Sequence, residues 1–97
     1  MHIISKRPLR EFWENEPQSE NSLNEWHKRL SKLEAANIAQ LRQTFPEADL
    51  VGDCIVFNVG GNKYRVITKV DFRRQNVYVR FVLTHREYDK NKWKSDC

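Results

Sequence analysis

The sequence predicts an α+β domain in which N-terminal helices pack on one face of a small antiparallel β-sheet. Two observations lead to this prediction. Between residues 6 and 44 apolar side chains recur at helical spacing, whereas residues 54–83 contain three strand-like runs joined by two short turns. A chain of 97 residues has apolar surface for one hydrophobic core. We therefore expect residues 1–97 to form a single domain, with residues 91–97 as a basic C-terminal tail.

The first two elements are predicted to be an edge strand and a helix. Residues 2–5 form a short apolar run, and Ser5 can cap a helix over residues 6–15 that accommodates Pro8 in its first turn. The apolar face of this helix would consist of Leu9, Phe12 and Trp13. An aromatic pair at helical spacing is typical of a core, so we expect this face to be buried.

The clearest helix is predicted over residues 22–36. Ser22 and Glu25 stand three residues apart, as a capping box requires. The apolar stripe of this helix would be Leu23, Trp26, Leu30 and Leu33. Asn37 is expected to cap a further short helix over residues 38–44, and a loop is expected over residues 47–49.

Three strands are predicted in the second half of the chain, over residues 54–59, 63–70 and 76–83. The first turn contains Gly60 and Gly61, which supply the positive φ angles of a tight hairpin. Strict alternation would direct one apolar set of side chains towards the helices, and on the last strand this set is Val77, Val79, Phe81 and Leu83. The opposite face would then carry Arg65, Lys69, Tyr78 and Arg80.

The positive charge of the chain is concentrated in this predicted sheet. Residues 51–97 hold ten Lys and Arg against five Asp and Glu, a balance of +5, whereas residues 1–50 have a balance of −1. Arginines that face the same way on neighbouring strands repel each other unless they share an anion. This pattern favours a polyanionic partner. A purely structural explanation stays open at this point, in which carboxylates of Asp71, Glu87 and Asp89 pair with the arginines.

Several other classes of protein are disfavoured. No run approaches the ~20 apolar residues of a membrane span, and the N-terminus lacks a signal-peptide pattern, so we expect a cytoplasmic protein without membrane contact. A metal site would have to gather the scattered His2, His27 and His85, so no metal is expected. Cys54 and Cys97 lack CxxC spacing. We interpret Cys54 as partly buried and Cys97 as a free thiol at a frayed C-terminus.

The polar cluster after the last strand has the side chains that metal-free RNA cleavage requires. His85 is suited to proton transfer because the unperturbed pKa of histidine is ~6.5. Arginine can stabilise a phosphorane with its planar, permanently charged guanidinium, and Tyr88 can stack on a base or donate its hydroxyl proton. No phosphate-binding loop or Gly-x-Ser-x-Gly motif is present. The residues alone favour a general acid–base ribonuclease no more strongly than a structural role for His85 and Tyr88, and both interpretations stay open at this point.

Several of these stretches resemble a known family. They are VFNVGGN at residues 56–62, RV at 65–66, YVR at 78–80 and THREYD at 84–89. These motifs resemble the HigB-type toxins of bacterial type II toxin–antitoxin systems, within the RelE-like superfamily of mRNA interferases. The resemblance implies a compact RelE-like fold and metal-independent cleavage of mRNA, commonly on the ribosome, which inhibits translation without a cofactor. It also implies a HigA-like helix-turn-helix antitoxin as partner, with operator DNA bound only through the toxin–antitoxin complex.

The resemblance also assigns roles by position. Arg65 and Arg80 would bind the scissile phosphate, His85 would be the leading acid or base, and Tyr88 would stack on or orient the substrate. The RNA backbone would be bound by Lys63, Lys69, Arg73, Arg74, Lys90 and Lys92, with Lys63 and Lys69 as alternates for proton transfer. Which group acts as base and which as acid stays open.

Two alternatives to a toxin enzyme follow from the same sequence. One is a non-catalytic module that binds RNA or the ribosome through the same basic face, and its binding would weaken with salt. The other is an interaction protein whose helices carry the function, in which case the sheet is a scaffold and charge reversal at Arg65 and Arg80 would have no effect.

Overall fold

The computed structural model describes all 97 residues, Met1–Cys97. The helices are α1 (Arg7–Asn15), α2 (Glu20–Ser31), α3 (Ile38–Thr44) and α4 (His85–Asp89), with 3₁₀ turns at Pro17–Ser19 and Lys92–Asp96. The strands are β1 (His2–Ile3), β2 (Asp49–Val51), β3 (Cys54–Val59), β4 (Tyr64–Asp71) and β5 (Asn76–Thr84). None of the helices combines the length and the apolar character that crossing a membrane would require.

The strands form one sheet in the order β1-β5-β4-β3-β2, which confirms the α+β class. Strands β2 to β5 pair as an antiparallel meander, whereas the edge strand β1 pairs parallel to β5, so the sheet is mixed rather than wholly antiparallel. A parallel pairing needs a long crossover, and the helices α1 to α3 lie within this one. Strand β2 was not predicted, because its three residues are an exposed edge without an alternating apolar pattern.

The three N-terminal helices pack on one face of the sheet, as the sequence predicts. Phe57 on β3 lies at the centre of this core, with its ring edge-on to the rings of Trp26 and Phe45 at 5.3 Å from each. The fully buried side chains of the helices are Leu9, Leu23, Leu30 and Leu41. These helices cover one face of the sheet, and the opposite face is left for residues 85–97 to cover.

The predicted helix ends are only partly correct. Helix α2 begins at Glu20 and ends at Ser31, so Ser22 lies inside its first turn and the capping box predicted for Ser22 and Glu25 does not form. The preceding 3₁₀ turn supplies the entry to this helix instead. The prediction for α3 is confirmed, because the Asn37 side chain accepts a hydrogen bond from the Gln40 backbone N–H at 2.9 Å.

A β-bulge interrupts the pairing of β4 with β5. Ile67 is opposite Phe81 and Thr68 is opposite Val79, which leaves Arg80 without a partner across the strands. One extra residue reverses the inward–outward alternation of everything beyond it. The prediction that Phe81 and Leu83 share the helix-facing side with Val77 and Val79 is therefore wrong. Phe81 and Leu83 lie with Ile67 on the outer face of the sheet.

The outer face carries a second, smaller apolar cluster. Its buried members are Cys54, Val56, Ile67 and Trp93, and the half-buried Phe81, Leu83 and Tyr88 pack against them. The chain after β5 runs over this face, and the ring of Trp93 is only 3% exposed. Residues 92–96 are thus a folded 3₁₀ turn packed on the sheet through Trp93.

A disulfide joins Cys54 to Cys97. The prediction of a free thiol at a frayed C-terminus is therefore wrong. The two cysteines are 43 residues apart in sequence, and only the folding of the chain end over the start of β3 brings their Cα atoms to 5.3 Å. Sequence spacing contained no sign of this pairing.

Reduction of this disulfide is expected to lower the free energy of unfolding by about 2–4 kcal/mol, because the bond closes a long loop in the unfolded chain. Guanidinium unfolding with and without dithiothreitol measures the difference. The Cys97→Ser variant is the control, since its stability should equal that of the reduced wild type and should not respond to dithiothreitol. Equal unfolding midpoints for oxidised and reduced wild type would contradict the expectation.

Candidate functional site

Helix α4 is anchored directly to the end of β5. The Thr84 hydroxyl accepts a hydrogen bond from the Glu87 N–H at 3.2 Å, and the Glu87 carboxylate accepts one from the Thr84 N–H at 2.9 Å. This is a complete capping box, and it fixes the entry angle of the helix. The His85 N–H also donates to the Lys63 carbonyl at 3.0 Å, which ties α4 to the start of β4. The two candidate residues His85 and Tyr88 therefore belong to one helical turn that is attached to two neighbouring strands.

His85 is oriented by a carboxylate one helical turn away. Its Nδ1 lies 3.0 Å from an Asp89 carboxylate oxygen, and both side chains are more than half exposed. At such exposure the pair contributes little to stability. Its effect is on orientation, because a hydrogen bond at Nδ1 leaves Nε2 available to exchange a proton with a ligand.

Arg65 lies on the outer side of β4, as predicted, but it is covered. The residue is 9% exposed, and its Cζ is 5.1 Å from the centre of the Tyr88 ring. One guanidinium nitrogen donates to the carbonyls of Asn62 at 2.9 Å and Tyr64 at 3.2 Å. These contacts fix the guanidinium beside α4 and use only part of its hydrogen-bonding capacity.

None of the carboxylates considered as partners for the arginines pairs with Arg65 or Arg80. Asp71 lies beside Arg74, Glu87 caps α4, and Asp89 pairs with His85. The ion pairs of the chain leave both arginines without a carboxylate. A nearly buried cation without a neutralising partner is costly, so Arg65 keeps a positive potential that an anion at this place would offset.

Tyr88 is held between Arg65 and the chain end. Its ring stacks on Trp93 with 4.9 Å between ring centres and 14° between ring planes, and the Trp93 indole N–H donates to the Tyr88 carbonyl at 2.9 Å. Burial raises the pKa of Tyr88 above its ordinary value, the carboxylates of Asp49 and Asp89 add to this rise, and the Arg65 charge opposes it. Tyr88 therefore stays protonated at neutral pH and can donate a hydrogen bond or a proton.

The burial of Trp93 against this site was not predicted. Residues 91–97 contain a lysine on either side of Trp93, and such a composition is typical of a solvated tail. A single large aromatic residue within a basic segment was the available signal, because an indole exposed to water would be unfavourable.

Arg80 is near the site but not directly beside Arg65. Arg65 pairs across the strands with Leu83, whereas Arg80 sits at the bulge opposite Ile67 and Thr68. At ~3.3 Å per residue, the two arginines are offset by about 7–10 Å along the strands. The Arg80 side chain is exposed. Arg65 and Arg80 are therefore separated along the strands, and the prediction that they lie side by side is wrong.

The predicted RNA-binding residues fall into two groups. Lys63 lies at the α4 end of the β4–β5 hairpin, and Lys90 and Lys92 line a cleft of about 310 Å³ together with Phe81, Leu83, Glu87 and Trp93. Lys69 pairs with Tyr78 further along the sheet. Arg73 and Arg74 lie in the turn at the far end of the hairpin, about 23 Å from its α4 end by strand length at ~3.3 Å per residue. Only the first group thus lies at the α4 end of the hairpin.

The histidines lie on separate elements, with His2 on β1, His27 on α2 and His85 on α4. No three side chains among His, Cys, Asp and Glu come together as they would around a metal ion. Of the candidate groups, the phenol of Tyr88 and the guanidinium of Arg65 are in contact at the outer face, and the imidazole of His85 belongs to the same helix as Tyr88.

Comparison with known proteins places this chain in a class. Residues 19–91 match the HigB_toxin family model, described as a RelE-like toxic component of a toxin–antitoxin system. The chain is 36% identical over 92 residues to the mRNA interferase toxin HigB of Escherichia coli K12. This alignment covers 92% of the present chain and 88% of the E. coli protein. The chain is 31% identical over 93 residues to the mRNA interferase HigB of Escherichia coli O6:H1 strain CFT073, covering 93% and 90%.

The protein is accordingly a RelE-like toxin of a toxin–antitoxin system. Within that class, it belongs to the HigB toxin family. The match to the family covers α2 to α4, including His85 and Tyr88, and it ends at residue 91.

Removal of the Arg65 charge is expected to raise the pKa of Tyr88 further, because this charge is the contribution that lowers it. Ultraviolet titration of tyrosinate in the Arg65→Gln variant measures the change, and the same titration of Tyr88→Phe identifies which transition belongs to Tyr88. Arg86→Gln removes an exposed arginine of the same helix and serves as the control, with little change expected. A lower pKa of Tyr88 in Arg65→Gln would contradict the proposed geometry.

Proposed function

We propose that the protein is an endoribonuclease that cleaves mRNA on the ribosome without a metal ion and so inhibits translation. The observation that carries this proposal is the nearly buried Arg65, which has no carboxylate partner and lies against Tyr88 on the turn that presents His85. The names of the relatives support it, since each is an mRNA interferase.

The reaction begins when the 2′-oxygen of a ribose attacks the adjacent phosphorus, and it ends when the 5′-oxygen leaves. Tyr88 is protonated and can only give a proton, so we assign it to the leaving oxygen or to a phosphoryl oxygen. His85 has an open Nε2 and is assigned to the 2′-hydroxyl as the base. Arg65 and Arg80 are assigned to the charge that develops on the phosphorane.

The cations near α4 supply the binding of the RNA backbone. Lys63, Lys90 and Lys92 are exposed around the site and can each neutralise a phosphate. Lys69, Arg73 and Arg74 are further along the hairpin, so they are proposed to contact RNA away from the scissile bond.

The protein partner in this proposal is a HigA-like antitoxin that neutralises the toxin in the cytoplasm. Operator DNA is bound only through the complex of toxin and antitoxin.

Replacement of His85 by Asn is expected to reduce the cleavage of mRNA on translating ribosomes by roughly 10²–10⁴-fold, because it removes the proton acceptor and keeps a polar side chain that can donate a hydrogen bond. The control is His2→Asn, which alters an exposed histidine on β1 and should leave the rate unchanged. Rates are measured by mapping the 5′ ends of the fragments in a purified translation system.

Two outcomes would contradict the assignment in different ways. Cleavage by His85→Asn at the wild-type rate would remove His85 from the mechanism. Salt-sensitive binding of the wild type to ribosomes, with no new RNA ends, would identify the protein as the non-catalytic binding module instead.

A further inference from the structure

The C-terminal segment, residues 92–97, is attached to the outer face at both of its ends. At the first end Trp93 is buried against the sheet, stacks on the Tyr88 ring and donates its indole N–H to the Tyr88 carbonyl. These contacts reach the ring and the backbone of Tyr88 at once, so Trp93 restricts both the position and the rotation of that residue. Residues 92–97 lie beyond the part of the chain that matches the family.

At the second end Cys97 is joined to the turn between β2 and β3. Its sulfur is bonded to Cys54, and its carbonyl accepts a hydrogen bond from the Asp53 N–H at 2.8 Å. Gly52 has a φ of 57°, and a Cβ atom built on it would come within 2.1 Å of the Cys97 carbonyl oxygen. Only glycine leaves room for the chain end at this place. The turn and Cys97 are therefore joined by the disulfide and by close contacts of the Cys97 carbonyl with Gly52 and Asp53.

We propose that the C-terminal segment is a redox-controlled positioning element, in which the Cys54–Cys97 disulfide fixes Trp93 and Trp93 positions Tyr88 against Arg65. This inference rests on the proposed ribonuclease function. Trp93 is a positioning residue, because it acts through Tyr88 and not on the RNA. The oxidised form is the more active one, since it holds the proton donor in a single orientation beside the guanidinium.

The disulfide forms by exchange with a disulfide of the glutathione class. The more accessible Cys97 thiolate attacks oxidised glutathione, which forms a mixed disulfide and releases one glutathione thiolate. The Cys54 thiolate then attacks the Cys97 sulfur and releases the second glutathione. Two protein thiols are oxidised, one glutathione disulfide is reduced, and the two thiol protons end on the two glutathione molecules. In reducing compartments a disulfide usually forms only transiently, when the surroundings become more oxidising. The Cys54–Cys97 pair is therefore suited to sensing the redox state of the cell.

Reduction leaves the segment attached by few contacts. Without the covalent bond, residues 92–97 are held by the burial of one indole, by its hydrogen bond to the Tyr88 carbonyl, by the hydrogen bond from Asp53 to Cys97 and by those of a single 3₁₀ turn. Segments with so few buried contacts open locally at low free energy. When Trp93 leaves, Tyr88 loses its stacking partner and the hydrogen bond to its carbonyl, and the ring is free to rotate away from Arg65.

The test compares single-turnover cleavage by the full chain in glutathione buffers of opposite redox poise. The oxidised wild type is expected to cleave roughly tenfold faster than the reduced wild type, with the affinity for ribosome-bound mRNA unchanged. Cys97→Ser should cleave at the reduced rate in both buffers. Trp93→Ala should match it, whereas the conservative Trp93→Phe should recover part of the rate through restored stacking. Circular dichroism establishes that each variant is folded.

Equal rates for the oxidised and reduced wild type, or a faster reduced form, would overturn the proposal. In the second case the segment would be a cover over the site. The titration of Tyr88 provides a readout that needs no cleavage, since reduction or Trp93→Ala should move its pKa back towards the ordinary tyrosine value. If the wild type cleaves nothing, the ribonuclease function fails, and an unchanged Tyr88 titration would separately refute the positioning role.

Discussion

The pairing of β4 with β5 includes one extra residue, and the outer face of the sheet depends on it. With Arg80 bulged out, Phe81 and Leu83 turn away from the helices and join Ile67. Without the bulge these two side chains would enter the inner core, and the buried apolar surface beneath Trp93 would be reduced to Cys54, Val56 and Ile67. The bulge therefore adds Phe81 and Leu83 to the second apolar cluster, against which Tyr88 of α4 and Trp93 of the C-terminal segment pack. A bulge next to a functional site is a common way to redirect side chains.

The resulting site brings together groups with complementary electrostatics. Arg65 carries a charge that no carboxylate neutralises, and Tyr88 lies over it as a neutral ring whose pKa is raised. Asp89 pairs with His85. Its carboxylate therefore orients the imidazole and does not neutralise the Arg65 guanidinium. Under the proposed function, Arg65 supplies a charge to the phosphate, Tyr88 supplies a hydrogen-bond donor, and His85 supplies a proton acceptor. Each of these residues is held by backbone contacts of β4, α4 or the C-terminal segment.

Local sequence signals predicted much of the fold. The three long strands, the Gly60-Gly61 turn and the cap at Asn37 depend on residues close together in the chain, and these predictions are confirmed. The class and the placement of the N-terminal helices on one sheet face also followed from periodicity. The false capping box at Ser22 shows the limit of such signals, since the preceding 3₁₀ turn decided where α2 begins.

The features that were missed depend on residues far apart in sequence. The bulge depends on how β4 pairs with β5, the parallel pairing of β1 joins residues more than seventy positions apart, and the disulfide joins residues 43 apart. The prediction assumed strict alternation along each strand and therefore assigned Arg65 and Arg80 to an open cationic face. In the structure Arg65 is covered by Tyr88, and Tyr88 is supported by a tryptophan that the basic composition of the tail had concealed.

The chemical nature of the RNA ends tests the central claim most directly. Attack by a neighbouring 2′-oxygen, assisted by protein side chains, predicts two kinds of RNA end. The upstream fragment ends in a 2′,3′-cyclic phosphate or its hydrolysis product, and the downstream fragment begins with a free 5′-hydroxyl. Analysis of mRNA fragments from a purified translation system by mass spectrometry distinguishes these ends. Fragments with a 3′-hydroxyl and a 5′-phosphate would require a water nucleophile, and would contradict the assignment of His85, Tyr88 and Arg65 to cleavage by the 2′-oxygen.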